Sequence, residues 1–478
     1  MKATRTALGG TALFALVLVI AIGQGSIASS DDALYAQMAR EMAQSGRWLT
    51  ATWLGTEVFE KPPLLLWMLR SFGSWFGWSE WVLRLPGVLG ALACLYYVIR
   101  LTEAETSDGK AGIIAGIATL ATVTFTLNAR RPMTDPLLCA AIMASVWYTA
   151  QLIVFPRRSA AVSLGIAGGL GLLAKWVAMG PVALVCGVAL MRYRRWSSMA
   201  AALVTALVVS GPWFVAMTMA HGQGFWEVFL GYHVVERAGG ALVGADPMSL
   251  YLDTLWQLDG AFGALLLVGL LAALAVRRGV TTALVVGTAG VTLVVIHLSS
   301  TRLYHYLMPV IPLAAVALTI AAAKRKEVLI GLGLVSLVAF AFGPLDPTLL
   351  RPDFAPTSKV LGLSLRSIPD EAQVISWEDY DPALTWYADR PVRIWTQSES
   401  MAAAQLSVDM MRRADAVVLA TPERLNELSR APQEIFLVAP KVRAGGLMAW
   451  VQGMTHRRVG VDAESMSTHV IVRLGPLT

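Results

Sequence analysis

The chain has 478 residues, 56% hydrophobic and 15% charged, with a formal net charge of +6 and a mean hydropathy of +0.60. A soluble protein of this length carries roughly a quarter charged residues, so the composition excludes an ordinary soluble enzyme. Much of the positive charge lies in short clusters between apolar runs, where it reports membrane orientation and implies no nucleic-acid partner.

Apolar stretches near 8–25, 81–100, 111–127, 136–154, 160–174, 177–191, 198–219, 256–276, 280–297, 306–323 and 328–344 predict an α-helical polytopic membrane protein with about eleven transmembrane helices. The clusters Lys2/Arg5, Arg157/Arg158, Arg192/Arg194/Arg195, Arg277/Arg278 and Lys324/Arg325/Lys326 fall at alternate ends of these runs. The positive-inside rule assigns those ends, and the N-terminus, to the cytoplasm of a multi-pass membrane protein. Residues 1–345 then form the membrane domain, with 26–80 as its first periplasmic loop, and 346–478 form a periplasmic domain. The first apolar stretch reads as an uncleaved helix, although Ser26-Ile27-Ala28 is a weak signal-cleavage pattern. Cys94, Cys139 and Cys186 lie inside apolar runs and read as packing residues, with no disulfide or thiolate metal site implied.

In the first loop, SSDDALYAQMAREMAQSGRW predicts a short helix starting at Ser30 or Asp31 and stopped by Gly46. Leu34, Met38 and Met42 make a stripe, with Arg40, Glu41 and Gln44 away from it, as in a helix lying in the membrane interface. EVFEKPP follows, and its prolines bar a helix around Lys61. Residues 63–77, which include Arg70, predict a second interfacial helix.

The topology places Lys61, Arg130, Arg131, Lys175, Arg237 and Arg302 on the outer side, against the charge rule. Such a set suits a phosphate carried by a lipid, while each one alone also reads as a snorkelling side chain. Asp135, between Thr134 and Pro136, reads either as a helix cap with proline at the first position or as a site residue. Glu60, Asp32 and His233, with Asp31 or Asp135, offer mixed oxygen and nitrogen ligands for a divalent zinc or manganese ion. A solvated histidine is the other reading of His233, and His305 reads as an interfacial belt residue. The outer loop at 220–252, with GYHVVERAGG, suits a flap. From about residue 350, AQVISW, PVRIW, AVVLAT, IFLVAP and HVIVRL predict strands, and SMAAAQLSVDMMRRA and PERLNELSR predict helices between them. This small α/β domain has no glycine-rich nucleotide loop.

DDALYAQMAREM, FEKPPLLLW, Trp81–Pro86, NARRPMTDPLL, LLAKWVAMGPVALV and TRLYHYLMPVIP together resemble the lipid-dependent glycosyltransferases of the GT-C fold. The resemblance points to the bacterial branch related to protein O-mannosyltransferases and to the lipid A aminoarabinose transferase, and covers about the first 345 residues. The chain departs from the family in carrying Asp32 where glutamate is frequent and Arg302 where lysine is frequent. The resemblance implies inverting transfer of a sugar from a polyprenyl-phosphate donor to a lipid or protein acceptor. It implies Asp31 and Asp135 as catalytic carboxylates. It implies Lys61, Arg130, Arg131, Lys175, Arg302 and Tyr306 around the donor phosphate. A lipid-linked sugar flippase, or a non-catalytic membrane protein that binds lipid phosphates, is the alternative.

Overall fold

The computed structural model describes residues 2–28, 31–236, 250–275, 279–299, 302–346, 353–379, 381–399, 417–452, 457–462 and 468–477. The predicted Ser30 cap, Arg237, Arg277/Arg278, residues 238–249 of the proposed flap and the predicted helix at 400–414 lie outside them. The chain divides into two units, the first made of residues 1–24 and 60–352, the second of 25–59 and 353–478. The first outer loop, expected to go with the membrane domain, is thus shared between the two.

The first unit is a bundle of apolar helices, and the predicted spans fall on helical segments of it. Among the described residues, seven helical runs are long and apolar enough to cross a membrane, eight if the bent pair Gly109–Leu120 and Val123–Ala129 is one crossing. The spans predicted at 160–174 and 177–191 form a single run of 35 residues, Arg158–Arg192, interrupted where Lys175 leaves helical geometry at φ −159°, ψ 76°. The outermost predicted spans correspond to Lys2–Val19 and Lys326–Phe342, of 18 and 17 residues.

Glycine lets these helices approach closely. Phe14 of the first helix packs where a Cβ on Gly116 would stand. A Cβ on Gly87 of the Glu80–Thr106 helix would lie 2.6 Å from the Arg131 carbonyl oxygen. The bent pair turns by 79°. The Asp259 carboxylate accepts from the Thr124 backbone N–H (3.1 Å) and hydroxyl (2.6 Å), so the first turn of Val123–Ala129 is satisfied by a side chain and not by the preceding helix. Leu64–Phe76 is the short helix predicted after the prolines, with Pro63 at its N-cap. Trp75, Phe76 and Trp81 at its far end are exposed, as in an aromatic belt.

The second unit holds a six-stranded sheet with strands β3 (Gln373–Trp377), β4 (Val392–Thr396), β5 (Val417–Leu419), β6 (Ile435–Pro440), β7 (Arg457–Asp462) and β8 (His469–Leu477). The order is β5-β4-β3-β6-β8-β7, parallel from β5 to β6 and antiparallel beyond. Alternate residues face two cores. Ile375 and Leu437 pack with Leu425 and Leu447, while Val374, Phe436 and Val438 pack with Leu361 and Leu384. Both faces are therefore covered, as a mainly parallel sheet requires. The predicted strands and the Pro422–Ser429 helix are present, and β7 with the helices Pro356–Leu365, Pro382–Ala388 and Ala444–Gln452 are additions.

This unit also contains the helix Asp31–Gln44 and a hairpin of β1 (Ala51–Trp53) and β2 (Thr56–Val58). Leu54 and Gly55 form the turn with φ of 50° and 77°, the left-handed pair that a two-residue hairpin needs. The helix is not an interfacial helix with one wet face. Leu34, Met38 and Met42 are buried as their stripe predicts, and so are Asp32, Gln37 and Arg40. Gly46 follows the helix at φ +72°, as predicted.

Candidate functional site

At one end of the first unit's bundle, three sequence blocks come together. The helix Asp135–Val154 begins with Asp135, only 2% exposed. Its N-cap position is held by Thr134, and the Asp135 carboxylate instead accepts from Lys175 Nζ at 2.9 Å. Lys175 sits at the break in the 158–192 run, with its ammonium 4.7 Å from the centre of the Tyr306 ring. Tyr304 belongs to the same short turn, Tyr304–Leu307. Its hydroxyl accepts from Arg131 Nη1 at 2.5 Å and donates to Asn128 Oδ1 at 3.3 Å. Arg131 also donates to Asn128 Oδ1 at 3.1 Å. His305 stands edge-on between both tyrosine rings, buried and not in a belt.

Arg130 is only 1% exposed. Its Nη2 donates to the Ile20 carbonyl at 2.5 Å. Arg84, of the W-x-x-R-L-P block, donates to the carbonyls of Ile22 and Gln24, each at 2.6 Å. Two guanidinium groups thus collect the carbonyls that leave the first helix, where the helix dipole favours cations. Burial, and then Arg84, lower the Arg130 pKa to about 10, so it stays protonated at neutral pH.

Arg302 donates to the His297 carbonyl at 3.2 Å, at the end of the Val280–Leu298 helix. Glu60 is buried and Lys61 half-buried. His233 lies on the π-helical stretch Glu227–Glu236, and its side chain lies outside the description. Among the described residues no three His, Cys, Asp or Glu side chains are grouped so as to hold a metal ion.

Along the Asp135–Val154 helix, from Leu137 to Tyr148, an apolar cavity of about 390 Å³ is lined also by Leu64, Met68, Leu89, Ile166 and Leu170, with the hydrogen-bonded hydroxyls of Tyr97 and Tyr148 (3.1 Å apart) on its wall. It is the size of a small-molecule site and has the lining of a lipid-chain site.

Asp31 and Asp32 open their helix in the second unit, Asp32 fully buried and Asp31 half-buried. On the same helix, Glu41 accepts from the backbone N–H groups of Leu54 and Gly55 at 3.0 and 3.2 Å. That bond fixes the hairpin preceding Glu60 and Lys61 in the sequence.

Sequence reasoning named Asp135, Lys175, Arg131 and Tyr306, and the structure brings them to one end of one unit. It missed Asn128, Tyr304 and Arg84. All three lie within blocks that carried the resemblance. Asn128 and Tyr304 carry no charge by which to single them out, and Arg84 is a single basic residue at the start of an apolar run.

The sequence profile of the dolichyl-phosphate-mannose-protein mannosyltransferase family matches residues 60–218. The undecaprenyl phosphate-alpha-4-amino-4-deoxy-L-arabinose arabinosyl transferase of Erwinia tasmaniensis is 28% identical over 248 residues, 50% of this chain and 44% of that protein. A counterpart from Pseudomonas fluorescens Pf-5 is 24% identical over 349 residues, 69% of this chain and 63% of its own. The match to the Edwardsiella ictaluri enzyme spans 42% of that protein, so the chain spans less than half of some of these curated relatives. The crystal structure of ArnT from Cupriavidus metallidurans bound to undecaprenyl phosphate superposes with a TM-score of 0.78 at 18% identity, over 97% of each chain. The oligosaccharyltransferase AglB of Archaeoglobus fulgidus, in complex with an inhibitory peptide and a dolichol-phosphate, gives 0.56 at 14% identity, over 91% of this chain and 69% of its own. The buried charges, the bundle and these likenesses agree: the chain is a GT-C-fold membrane protein related to ArnT and to the protein mannosyltransferases.

Proposed function

We propose that the chain transfers a sugar, with inversion, from a polyprenyl-phosphate donor to a lipid or protein acceptor at the periplasmic face of a bacterial inner membrane. The observation that supports this most is the set of charged and aromatic side chains (Asp135, Lys175, Tyr306, Arg131, Tyr304) at one end of an apolar bundle, together with a cavity along the Asp135–Val154 helix that suits an isoprenoid chain. A donor of this kind needs both environments, polar for sugar and phosphate and apolar for the tail.

In the reaction, the bond between sugar C1 and the phosphate oxygen breaks, and the acceptor oxygen bonds to C1 from the opposite side. The polyprenyl phosphate leaves with the electron pair. The transition state has oxocarbenium character, and negative charge grows on the phosphate. We assign Lys61 to that phosphate, because a cation gains most where charge develops. Lys175 is neutralised by Asp135, and Arg130 and Arg131 are held by protein carbonyl, amide and hydroxyl groups. With Arg302 and Tyr306, we place these three around the same phosphate, where they add to the positive field that Lys61 supplies. Asp31 takes the proton if the acceptor is a hydroxyl. A zinc or manganese ion on Glu60 and His233 is a separate proposal. Activity lost in a chelator and restored by one of these ions supports it, and full activity in the chelator contradicts it.

The test is mass spectrometry of lipids and glycans from cells lacking the gene, with wild type restored, or with Asp31→Asn restored. A sugar that disappears, returns with wild type and fails to return with Asp31→Asn supports the transferase. Accumulation of the donor on the inner leaflet alone points to a flippase.

A further inference from the structure

The helix Pro382–Ala388 grips the chain on both sides of Asp31. Four residues before Asp31, the Ile27 backbone N–H donates to the Tyr387 hydroxyl at 2.9 Å. Just upstream, the Ser26 N–H and hydroxyl both bond Asp353 Oδ1, at 2.8 and 2.5 Å. The Ala355 N–H returns a bond to the Ser26 hydroxyl at 2.6 Å. Nine residues after Asp31, the Arg40 guanidinium lies 4.1 Å over the Trp386 ring. It donates to the Trp386 carbonyl at 3.0 Å and to Gln37 Oε1 at 2.5 Å. It pairs with Asp389 at 2.9 Å, and Asp389 caps the same helix at φ 56°.

Arg40 is only 6% exposed. Burial lowers its pKa, and Asp389 opposes that fall. A buried charge network of this kind adds little stability over apolar side chains of equal volume. What it adds is direction. A helix turns about 100° per residue, and a planar guanidinium held across the contact by stacking and by its bonds to the Trp386 carbonyl and Asp389 allows one rotation of the helix where a greasy contact allows several.

We propose that Arg40 is a positioning residue that sets the rotation of the helix bearing Asp31, and so makes the C-terminal sheet domain a working part of the transfer machinery. The proposal rests on the transferase reading for its catalytic half and on the geometry alone for its anchoring half.

The experiment uses purified full-length wild type, Arg40→Lys, Arg40→Met and Asp389→Asn in nanodiscs. Transfer is measured with the membrane lipid extract of the deletion strain as donor and acceptor source, and the kcat and KM effects are separated. Hydrogen–deuterium exchange is read on the same samples. Arg40→Met should lower kcat on the order of 10–100-fold with KM for the donor little changed. Arg40→Lys, which keeps the charge without the planar fork, should restore only part of the loss, and Asp389→Asn should fall between it and wild type. Exchange should rise across residues 28–44 while β3 and β6 stay protected. Wild-type kcat in folded Arg40→Met overturns the positioning role, even with a lower Tm. Unchanged exchange across 28–44 overturns the anchoring. A wild type that turns over nothing, with the deletion strain's membrane proteins added to the lipid extract as well as without them, overturns the transferase reading, and the exchange result still decides the anchoring.

Discussion

At the residue scale, charges in the first unit are spent on one another and on the backbone. The pair Asp135–Lys175 is unequal, since Asp135 has a side chain 3% exposed and Lys175 one 28% exposed. Removing the lysine strands a buried carboxylate, whereas removing the carboxylate's charge leaves an ammonium that still reaches water. Lys175→Met should therefore cost about 3 kcal/mol of stability and Asp135→Asn less. The double variant should be more stable than Lys175→Met alone, which thermal unfolding of the four proteins checks. Lys61 answers to a different readout. Lys61→Ala should lower kcat on the order of 100-fold with little change in Tm, and Lys61→Arg should recover part of it. The basic residues of these blocks were legible because charge is scarce among apolar runs. Their partners were not. Arg130, for one, donates to the Ile20 carbonyl, 110 residues away.

At the element scale, long apolar helices were legible from hydropathy, since a span needs little more than length and low charge. The 79° bend was not, because Leu120-Ala121-Thr122 contains no proline or glycine. Its cause is Asp259, which accepts two hydrogen bonds at Thr124 from 135 positions along the chain. Asp259→Ala should loosen that turn, raising hydrogen exchange at 123–131 and lowering Tm. The close approach at Gly87 makes a sharper prediction. A side chain there meets the carbonyls of Ala129 and Arg131, so Gly87→Val should destabilise by about 1–3 kcal/mol, read as a fall in Tm, and lower activity by shifting the segment that carries Arg131. The helix at 31–44 shows the other limit of pattern reading. Its apolar stripe was correct, but Gln37 and Arg40 are polar and buried, so periodicity gave a wet face where the fold has a core.

At the scale of the whole molecule, the fold joins two kinds of structure by an interleaved chain. The membrane bundle packs apolar helices around a hydrophobic core with a polar cluster at one end, and the second unit has a sheet covered on both faces. Composition alone marked the change near residue 350. It did not mark that residues 25–59 belong with the sheet, because that grouping depends on Ser26, Ile27 and Arg40 finding partners more than 300 positions away. In the proposed function, this assembly breaks the bond between a sugar and a polyprenyl phosphate. The most direct measurement is release of polyprenyl phosphate by purified protein in nanodiscs supplied with the deletion strain's lipid extract. Wild type should release it in step with sugar appearing on the acceptor, Asp31→Asn and Lys61→Ala should not, and Lys61→Arg should do so partially. Sugar-bearing donor that stays intact while crossing the bilayer, at equal rates in wild type and Asp31→Asn, would contradict the account.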